Sequence, residues 1–180
     1  MTNNEDGMKK NLTNYGDKGF SIFLRKAFIK GLGYSDEMLD KKIIGITNTF
    51  SDYNPCHGNV PDLIKSVKTG ILSNGAIPLE FPTITIHESF ANPTSMYLRN
   101  LMSIDTEEML RAQPMDACVL IGGCDKTVPA QIMGGLSADI PIIQLVTGPM
   151  LTGSFRGERV GACTDLSLIH ISEPTRLGFI

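Results

Sequence analysis

The sequence predicts an α/β fold with a mainly parallel sheet flanked by helices, and two observations support this prediction. Short apolar runs rich in β-branched residues alternate with segments whose apolar residues recur at helical spacing, which is the pattern of βαβ units. The composition is that of an ordinary folded domain, with 42% hydrophobic and 19% charged residues among 180. A chain of this length can bury one sizeable core.

The first half of the chain contains two predicted helices and one predicted strand. Residues 20–33 have apolar residues at helical spacing and close on Gly31 and Gly33, which indicates a helix with a glycine stop. The sequence "KIIGITNT" at 42–49 is typical of a buried strand. A polar loop, "FSDYNPCHGN", then leads into a predicted helix over 60–75. Five of its apolar residues are expected to point inward: Leu63, Ile64, Val67, Ile71 and Leu72.

The second half continues the alternation. A short strand is predicted at 83–87, followed by one or two helices over 92–114. A third strand is predicted at 116–123, a helix at 129–138 and a fourth strand at 140–146. The inward-facing residues expected of the helical region before the third strand are Leu98, Leu101, Met102, Met109 and Leu110.

Charge and hydropathy exclude several classes of partner. A net charge of −3 gives no excess of basic residues that would attract nucleic acid or an anionic membrane. No apolar run approaches the ~20 residues needed to span a bilayer. Residues 1–19 are polar, lack the apolar stretch of a secretory signal and are expected to be flexible. We therefore expect a cytoplasmic protein, whose four cysteines are free, catalytic or metal-bound rather than paired in disulfides.

The end of the chain has a different character. Residues 166–176, "LSLIHISEPTR", resemble the conceptual translation of a sequencing adapter, although the alternation in "LSLIHI" also fits a natural strand. We expect 166–180 to be a non-native tail, and the natural part to be an incomplete α/β domain over 20–165 that is truncated near Asp165. Accordingly, no functional role is assigned to His170, Glu173 or Arg176.

Polar and reactive side chains follow three of the predicted strands. Asp52, Asn54, Cys56 and His57 come after the first, Glu88 after the second, and Cys124, Asp125 and Lys126 after the third. The carboxyl ends of parallel strands meet at one edge of a sheet, and ligands bind there. The sequence therefore predicts one site built from three loops.

The glycine-rich loop "IGGCDKT" carries the most reactive of these side chains. A phosphate-binding P-loop is excluded, because its glycines would fall at Leu120 and Asp125. Cys124 lies near a predicted helix N-terminus and Lys126, where a thiolate is stabilised. It could be a structural thiol, a nucleophile with His57 or His87 as base, or a metal ligand. Cys118, inside a strand, is simplest as a core residue.

The remaining candidates are oxygen and nitrogen donors. Glu88 and Asp125 are carboxylates of the kind that Mg²⁺ takes, or they simply cap helices. His57 could serve the pocket or be a solvent-facing loop histidine, and His87 is expected to face away from Glu88 if the strand stays extended. Cys56 lies on a loop comparable to that of Cys124, so two sulfurs from separate loops are expected to meet.

Five stretches resemble one family: "NPCHGN", "HESF", "PTSMYLRNLM", "DTEEMLRAQPMDACVLIGGCDKTVPAQIMG" and "TGPM". They are similar to the IlvD/Edd dehydratases, which include dihydroxy-acid, phosphogluconate and sugar-acid dehydratases. The resemblance runs from about residue 20 to Asp165 and is closest to the pentonate (arabinonate or xylonate) dehydratases. It implies the N-terminal part of a two-domain enzyme that converts an aldonate into a 2-keto-3-deoxy acid. Dihydroxy-acid dehydratase of branched-chain amino-acid biosynthesis is the alternative within the family.

The resemblance also implies cofactors and roles. Cys56 and Cys124 match two of three thiolate ligands of a [2Fe–2S] cluster. Glu88 and Asp125 match Mg²⁺ ligands, and Lys126 matches a lysine that is carbamylated to become an anionic metal ligand. The third cluster cysteine and the serine base would lie beyond Asp165, so Cys163 is expected to be structural.

Partners and rival functions follow from the same reading. The expected partners are a sugar-acid substrate and further copies of the chain, as a dimer or tetramer, with no nucleic acid and no membrane. The chain alone is expected to be inactive. A non-enzymatic zinc-binding module and a cysteine hydrolase are the alternatives from other classes.

Overall fold

Four parallel strands form the central sheet of the chain in a computed structural model, which describes residues 5–12, 15–150 and 152–161. The strands are β1 (Ile43–Asn48), β2 (Ile77–Pro82), β3 (Ala117–Gly122) and β4 (Ile142–Val146). Their order in the sheet is β2-β1-β3-β4, and every neighbouring pair is parallel. The predicted α/β class with a mainly parallel sheet is confirmed.

Helices occupy both faces of the sheet. The α-helices are α1 (Lys18–Lys30), α2 (Asp36–Leu39), α3 (Val60–Ser73), α4 (Ser95–Ala112) and α5 (Thr127–Ala138). Single 3₁₀ turns are formed by Gly7–Lys9, Pro55–His57 and Glu88–Phe90. A small antiparallel hairpin, β5 (Gly153–Phe155) and β6 (Glu158–Val160), follows β4. In the part of the chain that the structure describes, no helix is both long and apolar enough to cross a membrane.

The core is divided by the sheet into two clusters. On one face, Val60 and Ile64 of α3 pack against Ile46 and Ile121. On the other face, the buried residues are Met8, Leu39, Ile43, Ile77, Phe81, Leu110, Met115, Cys118 and Leu120. Helix α3, which follows β1, and helix α5, which follows β3, thus lie on opposite faces, with Ala138 of α5 packed against the second cluster.

Helices α4 and α5 run side by side in the same direction. A Cβ on Gly134 would lie 2.5 Å from the Ser103 carbonyl oxygen, so only glycine permits this approach. Further along, Arg111 donates to the Ser137 carbonyl oxygen at 2.6 Å. Because contacts advance along both helices together, their first turns also lie next to each other.

The strand predicted at 83–87 is wrong, because the second strand is Ile77–Pro82 and 83–87 has no regular structure. Pro78 and Pro82 weaken the strand pattern of 77–82, but β2 is an edge strand, where proline is tolerated. Beyond β2, the backbone N–H of Ile84 donates to Asp105 Oδ2 at 2.7 Å instead of to the backbone of a neighbouring strand.

Two residues predicted to point inward do not. Leu72 is 47% exposed and Leu101 is 49% exposed, because neither α3 nor α4 is covered on that side. The region predicted at 92–114 forms a single helix, α4, with Thr94 Oγ1 capping the Met96 N–H.

Part of the polar N-terminal segment contributes to the core, which its composition does not predict. Met8 is buried in the second cluster, and the backbone N–H of Gly7 donates to the Asp116 carboxylate. Cys163 and the segment 166–180 lie outside the described residues, so the expectations about them stay predictions.

Candidate functional site

The loops that follow β1, β2 and β3 meet at the carboxyl edge of the sheet, as the sequence predicts. The backbone N–H of Gly123, after β3, donates to His57 Nε2, after β1, at 2.7 Å. Lys126 Nζ, also after β3, lies 3.9 Å from Glu88 Oε2, after β2. The three loops therefore form one side-chain cluster.

The two glycines of "GGCDKT" allow the loop after β3 to pass close to its neighbours. A Cβ on Gly123 would overlap Thr147 Oγ1 and lie 3.3 Å from the Cys56 carbonyl oxygen. Cys124 has φ 64°, in the left-handed region that few non-glycine residues adopt. This turn presents its thiol to the loop after β1 while the chain enters α5.

His57 is a structural residue at the base of the site, so the expectation of a solvent-facing histidine is wrong. The side chain is fully buried. Nε2 accepts from the Gly123 N–H, and Nδ1 lies 2.8 Å from the Thr49 carbonyl oxygen, to which it must donate. We assign the neutral Nδ1–H tautomer from this network. Because both ring nitrogens are engaged, His57 is not placed to act as the base of a cysteine nucleophile.

Cys56 and Cys124 form a thiol pair, which joins the loops after β1 and β3. Cys124 Sγ donates to Asn54 Oδ1 at 3.5 Å and interacts with the Cys56 thiol. The pKa of Cys124 is raised to about 12, mainly by burial and additionally by the Cys56 thiol and the Asp125 carboxylate. The expectation of a stabilised thiolate at Cys124 is therefore wrong, because burial, the Cys56 thiol and the Asp125 carboxylate all favour the neutral thiol, and only the contact with Asn54 opposes them. A neutral thiol is a poor nucleophile but a latent ligand for a soft metal.

Oxygen ligands lie immediately beside the thiol pair. Lys126 is buried, and its Nζ donates to Asp125 Oδ2 at 2.5 Å while also facing Glu88. The hydrogen bond from Lys126 lowers the pKa of Asp125, and the same bond raises the pKa of Lys126. The carboxylates of Asp125 and Glu88 are 68% and 64% exposed. Their free oxygens can accept a hard cation from solvent.

His87 does not take the position that an extended strand would give it. It caps the turn Glu88–Phe90, where Nδ1 accepts from the Ser89 N–H at 3.2 Å. Its ring is close enough to Asp125 to lower the pKa of that carboxyl. His87 therefore lines the carboxylate side of the site.

The donor set fits two kinds of metal group without completing either. The thiol pair suits iron or zinc, and the carboxylates suit Mg²⁺. Among the described residues, no three His, Cys, Asp or Glu side chains are arranged to hold a metal ion together. The described residues therefore offer donor atoms of both kinds without a complete ligand set for a metal ion.

Sequence reasoning missed two residues that shape the site. Thr147 Oγ1 donates to the Cys56 carbonyl oxygen at 3.0 Å and thereby links the end of β4 to the cysteine loop. Its position directly after a predicted strand is a signal that could have found it. Arg99, on α4, acts electrostatically on Lys126. No feature of its sequence context indicates that position.

Comparison with known proteins gives a consistent family. Residues 41–175 match the family model described as "Dihydroxy-acid/6-phosphogluconate dehydratase N-terminal". The chain is 42% identical to L-arabinonate dehydratase of Rhizobium leguminosarum bv. trifolii over 92% of its length. It is 41% identical to D-xylonate dehydratase of Caulobacter vibrioides over 80%, and 40% identical to dihydroxy-acid dehydratase of Methanococcus vannielii over 79%.

The matched regions are a minor part of these relatives. They cover 30% of the arabinonate enzyme, 24% of the xylonate enzyme and 27% of the dihydroxy-acid enzyme. The chain therefore spans less than a third of the length of the curated relatives it matches.

Proposed function

The chain belongs to the dihydroxy-acid/6-phosphogluconate dehydratase family, and from this we propose that it supplies part of the active site of a sugar-acid dehydratase. The reaction is the loss of water from an aldonate to give a 2-keto-3-deoxy acid. One observation carries the proposal. A single loop places Cys124 beside Cys56 and places Asp125 and Lys126 beside Glu88.

The two sides of this loop have different proposed ligands. Cys56 and Cys124 would hold a [2Fe–2S] cluster, and Glu88, Asp125 and a carbamylated Lys126 would hold Mg²⁺. When bound, these groups supply Lewis acidity at the departing hydroxyl and at the carboxylate end of the substrate.

The chain's own residues position these ligands. Asn54 Oδ1 accepts a hydrogen bond from the Cys124 thiol, and Thr147 Oγ1 donates one to the Cys56 carbonyl oxygen. These two bonds hold both cysteine-bearing loops in place. Lys126 is buried, with its Nζ between two carboxylates, which restricts its side chain to one small region. This preorganisation lowers the cost of assembling the site.

The substrate is proposed from the closest motif similarities. The arabinonate, xylonate and dihydroxy-acid dehydratases compared above are 40–42% identical to the chain, so identity alone does not separate them. The resemblance of "GGCDKT" and "PTSMYLRNLM" to the pentonate enzymes favours an aldonate. Dihydroxy-acid dehydratase remains the second candidate. A zinc-binding module is less favoured, because it leaves the adjacent carboxylates without a role.

We further propose that activity requires more than this chain, and that the active form is a homo-oligomer. The described residues offer two neighbouring thiols where the family resemblance implies three. We expect the 180-residue chain alone not to turn over substrate.

A chimera tests the proposed function. Residues 20–165 would replace the matching region of the Rhizobium arabinonate dehydratase, and the product would be reconstituted anaerobically with iron, sulfide and Mg²⁺. We expect keto-acid formation from pentonates, with loss of activity in Cys124→Ser and Glu88→Gln. Cys118→Ala, which changes a buried cysteine outside the site, is the matched control.

Three results would contradict this proposal. Faster turnover of 2,3-dihydroxyisovalerate than of any aldonate would show that the substrate is a dihydroxy acid and not an aldonate. Zinc without iron in the purified chimera would support the binding module. Full activity in Cys124→Ser would show that Cys124 is not a required ligand of the cluster.

A further inference from the structure

Arg99 is a partly buried cation for which the described part of the chain provides no partner. Its Nε is shielded from solvent and has no hydrogen-bond acceptor, and the guanidinium pairs with no described carboxylate. The other arginines on α1 and α4 are satisfied: Arg25 donates to three backbone carbonyls, and Arg111 pairs with Glu107. A shielded, unpaired donor is costly, so its retention calls for an explanation.

The position of Arg99 is next to the site. Because α4 and α5 run parallel, the first turns of the two helices lie side by side, and Lys126 directly precedes the first residue of α5. The hydrogen bond to Asp125 raises the pKa of Lys126, and the charge of Arg99 is close enough to oppose part of that rise. Two further buried donors without partners, Ser95 Oγ and Thr127 Oγ1, begin α4 and α5. Three side chains with an unpaired donor therefore lie in the first two turns of α4 and α5, next to Asp125 and Glu88.

Lys126 already pairs with the carboxylates of the site, so Arg99 is the nearby cation that has no carboxylate partner among the described residues. Asp125 is satisfied by Lys126 at 2.5 Å, and the nearest cation to Glu88 is also Lys126. A planar guanidinium with several donors matches a carboxylate better than any other ligand group except phosphate. The chemistry of the proposed substrate, an acid, supplies such a group.

We propose that Arg99 binds the carboxylate of the acid on which the site acts. The inference rests on the proposed function insofar as the ligand is an acid, and it adds the residue that recognises the acid group. Arg99 donates to one carboxylate oxygen, which leaves the other free to face Glu88, Asp125 and their cation.

A titration of the 180-residue chain tests this inference. The probes are a pentonate, its neutral pentonamide and 2,3-dihydroxyisovalerate, measured by calorimetry and by the Nε–H resonance of Arg99. We expect Arg99→Gln to weaken pentonate binding about tenfold or more and to leave pentonamide binding unchanged. Arg99→Lys keeps the positive charge but loses the planar guanidinium that can donate two hydrogen bonds, so its pentonate affinity should lie between those of the parent chain and Arg99→Gln. Arg111→Gln, on the same helix but paired to Glu107, is the matched control and should bind as the parent chain does.

The outcomes separate this inference from the proposed function. Equal pentonate affinity in the parent chain and in Arg99→Gln would overturn the inference. Equal affinity of the parent chain for the acid and the amide, or no binding of any acid, would overturn it as well. Binding of dihydroxyisovalerate but not of the pentonate, lost in Arg99→Gln, would keep the inference and contradict the sugar-acid proposal. Circular dichroism of each variant shows whether a loss reflects unfolding.

Discussion

Gly123 donates its backbone N–H to Nε2 of His57 at 2.7 Å, while Nδ1 of the same ring is held by the Thr49 carbonyl. One buried imidazole thus ties the loop after β3 to the end of β1. Both loops carry a cysteine of the thiol pair, so the histidine sets how the two sulfurs approach. Its role is positional, and its contribution can be measured as stability.

His57→Phe is expected to destabilise the chain. The change leaves the Gly123 N–H and the Thr49 carbonyl buried without partners, which costs roughly 2–4 kcal/mol in the free energy of unfolding. Urea denaturation followed by circular dichroism measures it. His87→Gln, which alters only the cap of a short turn, should change stability by under about 0.5 kcal/mol. Equal effects of the two variants would contradict the structural role of His57.

Gly123→Ala is expected to cost roughly 1–3 kcal/mol, because the new Cβ would overlap Thr147 Oγ1. Gly70→Ala is the matched control, since a Cβ there, in α3, meets no atom within 4 Å. That substitution should stabilise the helix by roughly 0.5–1 kcal/mol. Denaturation curves of both variants check the opposite signs. Stabilisation by Gly123→Ala would show that the loops are not closely packed.

Cys124 is expected to react slowly with iodoacetamide at neutral pH. Its pKa is raised from 9.0 to about 12, so the reactive thiolate is scarce. Cys56→Ser removes a neighbour that raises this pKa, and the alkylation rate of Cys124 should therefore increase. Peptide mass spectrometry over time measures the rate. An unchanged rate in Cys56→Ser would show that the two thiols do not interact, and a slower rate would show that Cys56 does not raise the pKa of Cys124.

Glu80 is expected to add a small acid-sensitive stabilisation. Lys68 donates to Glu80 at 2.6 Å, and this hydrogen bond lowers the pKa of Glu80. A lowered pKa in the folded state stabilises the chain above the unfolded pKa, and the effect is lost as pH falls through the folded value. Partial exposure limits it to under about 1 kcal/mol. Glu80→Gln should lose less stability than the parent chain between about pH 5 and pH 3. An identical acid profile for both chains would contradict the prediction.

Charged substitution on β4 is expected to reduce self-association. Ile143 and Val146 are 68% and 55% exposed on β4, which is an edge strand of the sheet formed by the described residues and can pair with another chain. Ile143→Lys should lower the apparent mass in sedimentation experiments, with a change in stability within about 0.5 kcal/mol. Leu32→Lys, at an exposed position beside β2, at the end of the strand order opposite β4, is the control. An equal effect of both variants would indicate nonspecific association.

Much of the architecture could be predicted because its signals are local. The strands β1, β3 and β4 are apolar, β-branched runs, and the helices that follow show helical periodicity. The sequence predicts the second strand too late in the chain, because two prolines weaken the strand pattern of β2 and the neighbouring "TITI" has a stronger one. The convergence of the three loops followed from the parallel sheet alone.

Burial and pairing could not be predicted in the same way. The polarity of His57 does not indicate whether it is buried, and the pKa of Cys124 depends on desolvation by the whole fold. Arg99 reaches the site only because two helices that are distant in sequence run parallel. These properties belong to tertiary packing.

The strand order β2-β1-β3-β4 has a consequence for how such a site is modified. The chain leaves β1 toward one face and β3 toward the other, so the adjacent strands β1 and β3 form the topological switch point of the sheet. The loops after β1 and β3 nevertheless stay in contact there, because the Gly123 N–H donates to His57 and the Cys56 and Cys124 thiols interact. Both loops lie outside the strand ladders, so an insertion elsewhere in either loop would alter the surroundings of the thiols without removing a hydrogen bond between strands.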